Sequence, residues 1–162
     1  MEKNIDYFDK IRAMPDTVID TTVALVRVLW DDRLQLLNPG KPDRLKWFYE
    51  AFYRFIVDYS NGVRLEYRDH DYLEYLRWYA EMWNITPNTR RVYLRRKRQG
   101  AMGLFDDIRE NGMQDPLCMV VELHLGRAYL YRGYRRLVVA KVLGIDRVKV
   151  MYAIVNSNSG AK

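Results

Sequence analysis

Leu117-Cys118-Met119-Val120-Val121-Glu122-Leu123, the turn residue Gly126, and Ala128-Tyr129-Leu130-Tyr131-Arg132-Gly133-Tyr134-Arg135-Arg136 form the stretch on which the fold is read. The first run is apolar and rich in Val, Leu and Met, which predicts a buried strand. Gly126 turns the chain, and Ala128 to Arg132 returns it as a second strand. Gly133 opens a helix that runs through Leu143, with Gly144 as its stop. Val148 to Val155 reads as a third strand. Hairpin, helix and strand in that order predict an α+β fold, a small mixed sheet from 117–123, 128–132 and 148–155 with the Arg135 helix packed on it.

Upstream of this stretch, Leu104 to Asn111 predicts a short helix closed by Gly112. Asn88 to Arg98 is Arg-rich and helical in propensity, and Gly100 and Gly103 are expected to break it. Tyr72, Leu73, Leu76, Tyr79 and Trp83 form the apolar face of a helix starting at Asp71. Glu74 stands in capping-box spacing, and Thr86-Pro87 is the expected stop. Leu45, Phe48, Tyr49, Phe52, Phe55, Ile56 and Tyr59 recur at i, i+3, i+4, an amphipathic helix of about four to five turns ended by Asn61-Gly62. Asn38-Pro39-Gly40-Lys41-Pro42 is a breaker. Before it, Val18, Thr22, Leu25 and Leu29 share one helical stripe beside Ile19, Val23, Val26 and Trp30, which predicts a helix; the β-branched content keeps a strand open. The expected organisation is a mainly helical N-terminal extension, 1–87, and a second domain, 88–162.

The chain has 162 residues, 49% hydrophobic and 14% aromatic, enough to bury a core and to exclude wholesale disorder. One cysteine excludes a disulfide framework and a Cys-rich zinc module. The N-terminus lacks the apolar region of a signal peptide, and no apolar run reaches the ~20 residues of a membrane span, so a cytoplasmic chain with no membrane partner is expected. The net charge of +6 is unevenly spread. Residues 1–87 hold 12 Lys/Arg against 15 Asp/Glu, whereas residues 88–162 hold 15 against 6. Basic charge gathered in one half points to an anionic partner: nucleotide, nucleic acid or phosphate.

Arg132, Arg135 and Arg136 crowd the start of the last helix. Positive charge there opposes the helix macrodipole at about 0.3–1 kcal/mol for an exposed site. A bound anion reverses that account, because backbone N–H groups and guanidinium forks would both point at it. Gly133, without a Cβ, permits close backbone approach to a phosphate. The same residues taken alone also fit a glycine turn with surface arginines. Arg91, Arg95 and Arg98 share one helical face and are candidates to track a nucleic-acid backbone, to reach a polyphosphate, or simply to line a solvated face; Arg90 and Lys97 lie together on another. No P-loop is present, and His70, His124 and Cys118 are too dispersed for a metal site or a triad; His70 reads as a loop residue before a helix. The aromatic stripes at 45–59 and 72–83 read as core.

Four segments stand in a recognisable order: Ile108-Arg109-Glu110-Asn111-Gly112, Asp115-Pro116-Leu117, Gly133-Tyr134-Arg135-Arg136, and Ala140-Lys141-Val142-Leu143-Gly144 followed by Val148-Lys149-Val150. Together they resemble the ParB N-terminal domain of the ParB/sulfiredoxin superfamily over residues 104–155, about a third of the chain. The resemblance implies a nucleoside triphosphate, with Mg²⁺ as a companion ion, held by Gly133, Arg135 and Arg136, with Arg132 and the Gly112 turn beside it. Tyr134 replaces the family's usual Glu, and Asp115 stands where Gln is common. Both departures bear on hydrolysis more than on binding. Asp115 is the candidate catalytic group, to hold a metal ion or accept a proton, and is equally explained as a turn residue before Pro116. Sulfiredoxin chemistry is excluded, because Tyr134-Arg135 stands where that branch needs a nucleophilic Cys. Cys118 reads as a buried structural thiol.

Two classes of function follow. One is a ParB-like nucleotide-binding protein, with NTP hydrolysis or phosphoryl transfer within the superfamily's range. The other is a DNA- or RNA-binding, or partner-binding, protein that uses the Arg-rich 90–98 helix on a ParB-like scaffold. Segregation-type members continue into a helix-turn-helix and a dimerisation segment, which have no counterpart after Val155. The expectation is therefore a stand-alone member, of the kind a virus or mobile element encodes, with a homodimer left open.

Overall fold

The computed structural model describes residues 17–27, 42–65 and 70–155. Within them the chain is α+β and forms two compact units, one built on a sheet and one on helices. Of the described residues, the sheet unit takes in 17–27, 115–133 and 146–155, and the helical unit 42–65, 70–114 and 134–145. Residue 87 thus falls inside the helical unit, at the start of a helix. The 38–41 part of the expected breaker, Leu29, Trp30 and the tail beyond Val155 lie outside the described residues.

The sheet unit contains β1 (Thr17–Arg27), β2 (Leu117–Glu122), β3 (Arg127–Arg132) and β4 (Arg147–Val155), in the order β1-β4-β2-β3. β1 runs antiparallel to β4, β2 parallel to β4, and β3 antiparallel to β2, so the sheet is mixed as expected. The helix expected over 18–30 is corrected to a strand where it is described. Thr17 pairs with Val155 and Arg27 with Arg147 along a ladder of nine pairs. Val18, Ile19, Thr21, Thr22, Val23 and Val26 are β-branched, stiff at χ1 and better placed on a pleated surface than in a helix. Around β2 and β4, Cys118, Val120 and Ala153 form a buried cluster packed by Tyr129, Tyr131 and Met151. Cys118 is a fully buried free thiol.

The helical unit contains α1 (Pro42–Ser60), α2 (Asp71–Met82), α3 (Pro87–Asn111) and α4 (Tyr134–Val142). α1 packs on the other three, with Phe52, Phe55 and Ile56 wholly buried on its inner face. Each large apolar side chain so buried contributes about 1.5–3 kcal/mol. Tyr72, Leu73, Leu76 and Ala80 answer from α2, and Leu137 to Ala140 from α4. Ring contacts knit the layer: Phe52 and Tyr72 lie 5.1 Å apart edge to face, and Tyr59 and Phe105 lie 5.5 Å apart. Of the two aromatic stripes read as core, Tyr49, Phe52, Phe55, Tyr72 and Tyr75 are buried, whereas Phe48, Tyr59 and Tyr79 are half-buried and Trp83 is exposed.

Two helix boundaries depart from expectation. α2 starts at Asp71 as expected, but its cap is His70: its Nδ1 accepts from the Tyr72 N–H at 3.3 Å, and its Nε2 donates to Asp58 at 3.0 Å. α2 ends at Met82, and Thr86 precedes α3, with Pro87 in that helix's first turn. The second departure is larger. Gly100 and Gly103 do not break the Arg-rich segment, and α3 is one helix of 25 residues. Two interior glycines cost about 1 kcal/mol each relative to alanine, which the burial of Leu94, Ala101, Phe105 and Ile108 along one stripe more than offsets. Gly112 closes α3 as expected, at φ 73°, its N–H donating to the Ile108 carbonyl at 2.9 Å.

Candidate functional site

α3 carries chemistry on both flanks of its buried stripe. At 100° per residue, Tyr93 and Lys97 lie about 60–100° to one side of Leu94, and Arg91, Arg95 and Arg98 about 40–100° to the other. On the first flank, Tyr93 and Lys97 meet Tyr72, Tyr75 and Tyr79 of α2, Phe48 of α1, and Tyr134 and Arg135 of α4 around an open cleft of about 240 Å³. The rings are set edge-on or tilted to one another, Phe48 and Tyr75 at 5.3 Å and Tyr75 and Tyr79 at 6.2 Å. Lys97 Nζ stands 5.7 Å from the Tyr93 ring centroid, in cation–π range.

The electrostatics of the cleft are one-sided. Desolvation, then the Arg135 and Arg96 charges, hold the Lys97 ammonium below the ordinary lysine range. Burial pushes the Tyr93 phenol up, and pushes Tyr72 up much further, so both rings stay neutral. Two cations therefore share an aromatic cleft whose lining contains no carboxylate. Among the described residues neither Lys97 nor Arg135 has an ion-pair partner.

On the other flank, Arg90, Arg91, Arg95 and Arg98 join Arg77 of α2, with Pro87 and Leu94, around a groove of about 760 Å³. Arg90 donates to the Ile85 carbonyl at 3.3 Å and lies 3.4 Å from Glu81, and Arg98 reaches the Leu65 carbonyl at 3.5 Å. Arg91 and Arg95 are exposed.

The residues singled out from sequence distribute as follows. Arg135 lines the aromatic cleft from the first turn of α4, while Arg136, in the same turn, is not part of its lining. Gly133, at φ 107°, directly precedes α4 and needs the freedom of glycine there. Arg132 ends β3 with its guanidinium 5.7 Å from the Tyr131 ring centroid. Asp115 is exposed in the bend before β2. Arg132, Gly133 and Asp115 belong to the sheet unit, and Gly112, Arg135 and Arg136 to the helical unit. Arg91, Arg95 and Arg98 do meet in one groove. Arg90, expected on the Lys97 face, lines that groove instead. Sequence reading missed Lys97 as a partner of Arg135, the rings around it, and Arg77.

Among the described residues no group of three or more His, Cys, Asp or Glu could hold a metal ion. Among the same residues no helix is long and apolar enough to cross a membrane. No protein-family model, no curated protein and no solved structure matches this chain. The likeness of residues 104–155 to the ParB N-terminal domain rests on its four motifs alone.

Proposed function

We propose that this chain is a nucleotide-binding protein whose ligand seats its base among the rings of the α1–α4 cleft and its phosphates against Lys97 and Arg135. The observation that carries the reading is a pair of cations in a shared aromatic cleft with no carboxylate in the lining. Burial disfavours the charge on Lys97, and Arg135 disfavours it further. A phosphate between them would relieve both penalties and accept charge-assisted hydrogen bonds. The rings supply what a phosphate alone would not use, since every base has a face to stack. A volume of about 240 Å³ sits just below the usual ~300–1,000 Å³ of small-molecule sites, which suits one ring system with its charged tail at the open rim. The ParB-like motif order around Gly133, Arg135 and Arg136 supports the same ligand class, a nucleoside triphosphate. The lining offers cations and phenols and no carboxylate base, so the reading is of binding; turnover has no assigned residue.

Thermal-shift and calorimetric titration with ATP, GTP, CTP and UTP, with and without Mg²⁺, test it. Wild type is expected to gain about 2.7 kcal/mol at one hundred times Kd of its ligand. Lys97→Met removes one charge-assisted contact, about 1.5–3 kcal/mol, and weakens binding about 10- to 150-fold. Because the fold holds the Lys97 proton less tightly than the unfolded chain does, the charge is a cost at neutral pH. Unliganded Lys97→Met is therefore expected to be at least as stable as wild type. Absence of stabilisation by all four nucleotides, or undiminished binding by both Lys97→Met and Arg135→Gln, overturns the proposal.

A further inference from the structure

Independently of the aromatic cleft, we propose that the arginine groove on the opposite flank of α3 binds the phosphate backbone of a nucleic acid without reading its bases. Five guanidinium groups, from Arg77, Arg90, Arg91, Arg95 and Arg98, line one groove, and its lining holds no carboxylate and no aromatic ring. Arg91 and Arg95 stand at i, i+4 on α3, a like-charge spacing that weakens a helix and that an exposed face selected for stability would fill with Glu and Arg. Arg90 lies 3.4 Å from Glu81, which is largely exposed.

Three features select a polymer of phosphates. Arg91 to Arg98 spans about 10 Å of helix axis, more than one phosphate can engage and suited to consecutive ones. Every cation in the lining is an arginine, whose planar fork matches phosphate oxygens two at a time. Arg90 and Arg98 are held in place by the Ile85 and Leu65 carbonyls, so part of the ordering cost is met before binding, while the Nε of each is buried with no hydrogen-bond partner among the described residues. The absence of rings from the lining directs contact to the backbone, not to unstacked bases.

Fluorescence anisotropy with a labelled 20-mer as duplex DNA, single-stranded DNA and single-stranded RNA, between 50 and 200 mM salt, tests the groove in the full chain. Five neutralised phosphates give a slope of log K on log salt of about −4.5 for duplex and about −3.5 for single strands, about 500-fold and about 130-fold losses across that range. Arg91→Gln with Arg95→Gln, both exposed and safe for the fold, is expected to lower the duplex slope by about two units, leaving about a 40-fold loss. Arg109→Gln with Arg147→Gln removes the same charge elsewhere and is expected to leave the slope unchanged. Tighter binding of DNA or of RNA supports the groove and names its source. No binding at 50 mM salt, an unchanged slope in the groove double variant, an equal loss in the control pair, or competition by polyglutamate as effective as by unlabelled duplex each overturns it. Nucleotide binding at Lys97 and Arg135 is read separately, so failure of either site leaves the other standing.

Discussion

Replacing Gly100 and Gly103 by alanine should stabilise this protein, a result opposite to what their sequence context suggests. Both glycines are exposed in the interior of α3, and a Cβ built on either meets nothing within 4 Å. Neither has a positive φ, so alanine fits the existing backbone. Each substitution then restores the helix propensity that glycine forfeits, about 0.8–1.0 kcal/mol, and the pair contributes about 1.6–2 kcal/mol. For a chain of this size that corresponds to a rise in Tm of roughly 3–8 °C. Urea unfolding followed by far-UV circular dichroism reads the change as a shift in midpoint at constant slope. Gly112→Ala is the internal contrast. It too meets open space, but at φ 73° and ψ −179° it occupies backbone essentially reserved for glycine, and its replacement should cost about 1–3 kcal/mol. A double alanine variant that is unchanged or less stable would mean that α3 bends or frays at these positions, and the continuous-helix account of both flanking sites would fall with it.

Two further outcomes rest on phenol and imidazole side chains. Stability should decline as pH rises past about 10: burial raises Tyr72, Tyr93 and Tyr152, and Tyr59 is raised first by its hydrogen bond to Asp106. A folded phenol that titrates above the unfolded value of 10.0 contributes fully below that pH, and its contribution is lost as pH climbs through the folded value. Tyr72→Phe should flatten the decline in urea midpoint between pH 9 and 11 and leave it nearly unchanged at pH 7; a decline as steep as wild type's would refute this. His70→Ala should cost about 1–2 kcal/mol by removing the cap of α2 and the contact with Asp58, and His70→Asn should recover the capping share, about 1 kcal/mol, in the same denaturation assay. Equal losses in the two variants would show that the Asp58 contact, and not the cap, carries the effect.

Local pattern predicted α1, both strands of the hairpin, α4 and β4 well, because each holds one periodicity between clear stops. β1 was misread for a physical reason. Its ladder slips between Asp20 and Val23, so apolar residues do not alternate cleanly, and Val18, Thr22 and Leu25 fall by accident on helical spacing. The partner that selects the extended form, β4, is more than a hundred residues away in sequence. α3 was cut in two because glycine is a local signal, whereas the stripe of Leu94, Ala101, Phe105 and Ile108 that overrides it gains its energy only against other helices. The capping role of His70 was similarly hidden, as it depends on Asp58 and Phe55 arriving from α1 to orient the ring.

The amino-acid sequence by itself determined the α+β character, the excess of positive charge after residue 87, and the two arginine groups worth watching. Composition and short-range spacing carry that information, because charge and periodicity are properties of neighbours along the chain. Tertiary structure alone decided the company each arginine keeps. Arg135 and Lys97 are 38 positions apart on different helices, and Arg77 comes from a different helix than Arg91, Arg95 and Arg98. Whether cations face a shared cleft or open water depends on which apolar stripes bury against one another, and that is settled by packing across the whole unit.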